Sequence, residues 1–135
     1  MSTNNTATKA YTLRSGTLWR TDDATAVTAV TVPLKPGRTY LIRTSGTYTN
    51  MTSGFGLGAF DLISCVVWTT PGIFALAGAT VAVFSSGAGV VTPVVVGTDL
   101  QIRVTGVAAN SIAWQVAVDV LEGGQTAANT GWTNG

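Results

Sequence analysis

The side chains able to do chemistry are few and scattered. The chain carries six carboxylates (Asp22, Asp23, Asp61, Asp99, Asp119 and Glu122), a single thiol at Cys65, and no histidine. A Ser/His/Asp triad and a Cys/His pair both need an imidazole to move a proton, and an ordinary zinc site needs several His or Cys ligands, so none of these can be assembled. A glycoside hydrolase needs two carboxylates facing across a cleft, and the spacing of the six acids singles out no such pair. Asp22-Asp23 has the charge to hold calcium, but two acids in a turn more often bond to local backbone N–H groups. Gly54-Phe55-Gly56-Leu57-Gly58 has the glycines of a phosphate loop without its lysine, spacing or following helix, and reads as a flexible loop leading into a strand. No catalytic residue, no metal and no cofactor is expected, and the chain is not expected to be an enzyme. Trp19, Trp68 and Trp114 could stack on sugar rings. Trp114 alternates in phase with apolar neighbours and belongs to the core, which leaves Trp19 and Trp68 as candidate glycan contacts. Cys65, inside the apolar run 63–68, has no intrachain partner and reads as a small buried hydrophobe.

The elements that must position these groups are strands. Over residues 98–122, Leu100, Ile102 and Val104 alternate with Gln101, Arg103 and Thr105. After a polar and small-residue break at 106–111, Ile112, Trp114, Val116, Val118 and Val120 alternate with Ala113, Gln115, Ala117 and Asp119. Period two, twice, predicts two neighbouring antiparallel strands whose apolar faces need a second sheet to cover them. Upstream, Tyr11 and Leu13 begin a first strand broken at Ser15-Gly16. Thr28, Val30, Val32 and Leu34 share one face of a Thr/Val-rich strand that Pro33 ends, and Lys35-Pro36-Gly37 is a turn. Tyr40 and Ile42 face one way, Leu41 and Arg43 the other, and 44–58 reads as a Gly/Ser/Thr-rich mobile loop. The expected fold is all-β, an antiparallel β-sandwich of 10–122, with a flexible polar arm at 1–9 and a flexible polar tail at 123–135.

Charge is scarce. Of 135 residues 46% are hydrophobic and only 10% are charged, against roughly 25% in an ordinary soluble domain. The net charge is +1 and the seven Lys and Arg form no cluster, so no nucleic-acid partner is expected. The chain opens without an apolar leader segment, so a secretory signal is not expected. Residues 62–98 contain no charged side chain. The stretch 72–91 has the length of a bilayer span, about 20 residues, but it holds four Gly, two Ser and a single Leu and lacks flanking Lys or Arg, so no membrane partner is expected. It reads instead as several short strands buried on both faces, with turns at 70–72, 77–78, 85–89 and Pro93. A single sandwich buries one face of each sheet, so the second apolar face is expected to meet another subunit. The candidate interface is Trp68, Ile73, Phe74, Leu76, Val81, Val83, Phe84, Val94 and Val96. In the termini, Thr3, Asn4, Asn5, Lys9 and Trp132 are candidate contacts with a larger assembly, Trp132 as an indole anchor.

The stretches TLRSGTLWRTDDATAVTAVTVPLKPGRTYLIRT and GTDLQIRVTGVAANSIAWQVAVDVLE resemble small β-rich proteins and modules of tailed-bacteriophage virions. In these an opening Thr/Val strand pair precedes variable strands, and a closing pair of the form V-T-G-x-A-x-x-x-I-x-W ends the domain. The likeness covers about half of the chain, and 51–97 is more apolar than that pattern. The resemblance implies a jelly-roll-like sandwich, often a homotrimer, mounted on a head or tail, with no catalytic residues to carry over. The expectation is therefore a non-enzymatic structural protein, a capsid decoration or cement protein on the outer surface of the head. Its partners would be copies of itself and the major capsid protein or another virion protein. The alternative is a tail or fibre module binding host-surface glycan through Trp19 and Trp68.

Overall fold

The computed structural model describes residues 9–16, 19–52, 57–69, 72–85 and 90–124, those of 78–85 by backbone alone. Every element among the described residues is a strand, as the period-two alternation requires. In chain order they are β1 (Lys9–Arg14), β2 (Arg20–Thr21), β3 (Ala26–Pro33), β4 (Arg38–Asn50), β5 (Leu57–Thr69), β6 (Ile73–Ser85), β7 (Val90–Val96), β8 (Asp99–Thr105) and β9 (Ile112–Gly124). They form two antiparallel sheets. The larger runs β1-β9-β4-β5-β6, with β2 also on β9, and the smaller runs β3-β8-β7. The expected all-β antiparallel sandwich is the fold observed.

The inward phases of both sheets meet in one core. Val30 and Val32 of β3, Leu100, Ile102 and Val104 of β8, Tyr40 and Ile42 of β4 and the even positions Ile112 to Val120 of β9 are all buried there. Each such side chain contributes roughly 1.5–3 kcal/mol on leaving water, so the eighteen buried apolar residues among those described do much to hold the sheets together. Trp114 lies at the centre, fully buried, with its indole N–H donating to Thr21 Oγ1 at 3.0 Å.

Residues 98–122 depart from expectation in an instructive way. Their two strands are not paired neighbours: β8 bonds to β3 and β7, whereas β9 bonds to β4, β1 and β2 in the opposite sheet. The break at 106–111 is an arch between sheets, not a hairpin turn. Gly106 lets it form, because a Cβ there would collide with the Thr21 hydroxyl and the Asp23 carbonyl. The two apolar faces that each needed a cover therefore face one another across the core.

Three further differences have local causes. The stretch expected as a loop from 44 to 58 is mostly strand: β4 runs on to Asn50 and β5 begins at Leu57. Thr44 and Tyr48 are buried and continue the phase of Tyr40 and Ile42, a β pattern hidden by Thr, Ser and Gly composition. In the uncharged region β5 ends at Thr69, β6 spans Ile73–Ser85 and β7 begins at Val90, the turns expected at 70–72 and 85–89 lie mostly outside the described residues, and 77–78 and Pro93 do not interrupt strands. β6 passes 77–78 with a register shift against β5 between Ile63 and Cys65. Pro93 sits within β7, opposite Ile102, on the edge strand of the smaller sheet, the position in a sheet where proline is tolerated. The expected break at Ser15-Gly16 is present, and β9 bridges it: Ser15 N–H donates to the Val116 carbonyl (2.9 Å), and Trp114 N–H donates to the Trp19 carbonyl (3.0 Å).

Candidate functional site

The two sheets present very different outer surfaces. On the smaller sheet, Thr28, Gln101 and Arg103 form a polar network, with Arg103 Nε and Nη2 both donating to Gln101 Oε1 at 3.0 and 2.7 Å. The outer face of the larger sheet is apolar along one row. Strand register places Ala10, Leu121, Leu41, Cys65 and Ala77 side by side across five strands. Leu41 is 49% and Leu121 44% exposed, large values for leucines on long central strands.

On one side of this row lie the charges. Arg43 Nε donates to Asp61 Oδ1 at 2.8 Å and its Nη2 pairs with Oδ2, a forked, charge-assisted contact between adjacent strands β4 and β5. These hydrogen bonds hold the Asp61 carboxyl below its ordinary range and raise the Arg43 guanidinium. Asp119 accepts from Thr12 Oγ1 at 2.8 Å. Ala10, Thr12, Leu41, Arg43, Asp119 and Leu121 line an open groove of about 390 Å³. A second groove follows at the β1 break, bordered by Arg14, Ser15, Gly16, Ser45, Thr47 and Gln115. Both carboxylates are taken up by a cation or a hydroxyl. Such a face suits contact with another surface more than proton transfer.

The charged end of β9 turns inward instead. Glu122 is 3% exposed, and Arg38 Nη1 approaches its carboxylate at 3.4 Å. Beside it the fully buried Tyr40 accepts from Lys35 N–H at 2.7 Å and is hydrogen-bonded to Glu122. Burial pushes the Tyr40 phenol up from 10.0 to about 12, the Glu122 charge adding to it. The folded state thus keeps a proton that the unfolded chain loses, so this contribution is whole below pH 10.0 and is lost as pH rises to about 12. Tyr40→Phe should be about 1 kcal/mol less stable than wild type at pH 8 through the lost hydrogen bonds. Urea unfolding should show that gap closing as pH climbs through the window.

The residues singled out in the sequence are scattered. Phe74, expected at an interface, is 6% exposed and packs edge-on to Tyr40 (6.4 Å) and Trp68 (4.7 Å), so it belongs to the core of the protomer. Trp68 (37%), Ile73 (60%), Leu76 (38%) and Val96 (43%) are exposed, and Val94 is half-buried. Val81, Val83 and Phe84 lie on β6, where only the backbone is described. Trp19 is partly buried against the core. Cys65 is not the buried hydrophobe expected: it lies half-exposed on the outer face of β5. Lys9 opens β1 opposite Glu122, its Nζ 5.0 Å from the centre of the Tyr11 ring. Thr3, Asn4, Asn5 and Trp132 lie outside the described residues. Asp23 accepts from Thr25 N–H at 2.8 Å in the expected turn, and Asp22 from Ser111 Oγ at 2.7 Å.

Leu41, Leu121, Arg43 and Asp119 were not singled out by sequence. The signal was a phase exchange at the end of β9, where the apolar Leu121 takes an outward position and the acidic Glu122 an inward one.

No protein-family model matches the chain, and no curated protein does. Among solved structures it is similar to the tailspike protein of Acinetobacter baumannii phage AM24, with a TM-score of 0.43 and 8% identity over 89% of this chain and 26% of that one. It is also similar to the tailspike protein of Acinetobacter phage vB_ApiP_P1, with a TM-score of 0.30 and 16% identity over 92% of this chain and 22% of that one. The chain spans about a quarter of the length of each. Similarity at this level defines neither a family nor an activity.

Proposed function

We propose that the chain is a non-enzymatic structural module of a tailed-phage virion, acting through the surfaces it presents to neighbouring proteins. The observation that carries this is the outer face of the larger sheet, an exposed apolar row beside charges that neutralise one another within the face. The likeness to phage virion modules supports it, and the two stretches that carry the likeness contain β2, β3, the first half of β4, β8 and most of β9, elements that build the core from both sheets. Placement on the virion divides into a head decoration protein and a tail or fibre module. Head placement rests on the likeness alone. Tail or fibre placement has a structural feature in its favour: Trp68, 37% exposed, is propped edge-on by Phe74 and could stack on a sugar ring.

Copies of the chain per virion, counted by quantitative mass spectrometry, test both levels. Absence from purified virions overturns the proposal. A count matching the capsid lattice assigns the head, and a small count assigns the tail. For the glycan contact, Trp68→Ala is expected to weaken retention on a host-glycan array at least about tenfold, the size of a lost stacking contact. Equal retention by the variant removes Trp68 from that role.

A further inference from the structure

We propose that the outer face of the larger sheet is an isologous interface on which a second copy of this chain packs, centred on the row Ala10, Leu121, Leu41, Cys65 and Ala77. This concerns the face alone and does not depend on the virion assignment. Area is the first ground for choosing a second copy. Five strands about 4.8 Å apart, and three rows of outward side chains about 6.8 Å apart, give roughly 500 Å² per copy. The total, roughly 1,000 Å², reaches what a specific interface requires.

The second ground is the placement of charge. Arg43, Asp61 and Asp119 all lie on one side of the row, and the outward positions on the other side are Thr39, Val67, Ala75 and Gly123. A two-fold axis along the row brings the side carrying Arg43 and Asp119 over the uncharged side of the copy, so like charges do not meet. The same operation sets Ile63, 38% exposed, against the copy's Val67, and Cys65 near the copy's Cys65. The face carries three cations, Arg14, Arg20 and Arg43, and two acids, Asp61 and Asp119, with Asp22 3.5 Å from Arg20, so it presents no large net charge to attract a strongly charged partner. The outer face of the smaller sheet, with its Thr28, Gln101 and Arg103 network, offers no comparable row.

An isologous face closes as a dimer and not as a trimer. Size-exclusion chromatography with light scattering should give twice the 13.8 kDa chain mass. Leu41→Lys with Leu121→Lys places charges where the copy's apolar row would sit, and should raise the dimer dissociation constant at least about a hundredfold. Both positions are exposed in the protomer, so the circular-dichroism spectrum should not change. If the lysine pair unfolds the protein, Leu41→Thr with Leu121→Thr keeps strand propensity and is read in the same way. A short thiol-to-thiol crosslinker should capture a covalent dimer through Cys65 in the wild type and not in the variant. A wild-type monomer, a trimer, or a dimer that folded variants leave intact overturns the proposal.

Discussion

Trp114→Ala should destabilise the protein by about 3–5 kcal/mol, the range for deleting a fully buried aromatic side chain. Trp114 is 0% exposed and joins three elements: its ring lies 5.0 Å from Tyr48 on β4 and 6.3 Å from Phe60 on β5, and its N–H reaches Thr21 on β2. Small domains have only about 5–15 kcal/mol of net stability, so the variant should be marginal at room temperature. Urea titration followed by circular dichroism measures the loss. Trp114→Phe separates the causes, because it keeps most of the ring contact and abandons the hydrogen bond, worth about 1 kcal/mol; a further deficit of about 2–4 kcal/mol from Phe to Ala is the cavity share. A Trp114→Ala protein as stable as wild type would mean that the β9 face is not the centre of the core.

Gly46→Ala comes next in size. A Cβ at Gly46 would run into the Gln115 carbonyl and the Phe60 ring. The ring can turn aside, but the carbonyl belongs to β9 and can withdraw only if the β4–β9 ladder opens between Gly46 and Val116. Overpacking costs about 1–3 kcal/mol, and each lost ladder bond adds about 1 kcal/mol, so roughly 3 kcal/mol is expected. Hydrogen exchange should locate the damage, with protection falling across Thr44–Tyr48 and Trp114–Val118 and persisting in β8. Gly123→Ala is the matched control on the same ladder. It has open space where its Cβ would go and should change stability by less than about 0.5 kcal/mol.

Gly46 also shows where composition misleads. Together with Thr44, Ser45 and Thr47 it resembles a loop, yet Thr is a good strand former and glycine is the residue that close approach of β9 demands. A side-chain clash with a strand 69 residues away cannot be seen locally.

The candidate surface was half legible. Leu41 and Arg43 were assigned to the face opposite Tyr40 and Ile42, and the structure agrees. Their importance was not legible, because an outward leucine matters only when its neighbours on β1, β5 and β9 are apolar as well, and those neighbours are chosen by register. Phe74 shows the converse. Its apolar surroundings in sequence suggested an outer surface, and pairing opposite Trp68 on β5 turned it inward against Tyr40 instead.

Alternation alone was enough to identify β8, β9 and the start of β4 and to say which side of each faces the core, since side-chain direction in a strand is a local property with period two. It placed Leu100, Ile102 and Val104 and the even positions of β9 on buried faces correctly. Partnership between strands is a different quantity. It depends on the path of the connection and on which faces fill each other's space, and both are long-range. The folded chain made β8 and β9 opposing layers of one core where adjacency in sequence suggested a hairpin. By pairing β9 with β4 and β1, it also gathered isolated outward residues into the apolar row that marks the larger sheet.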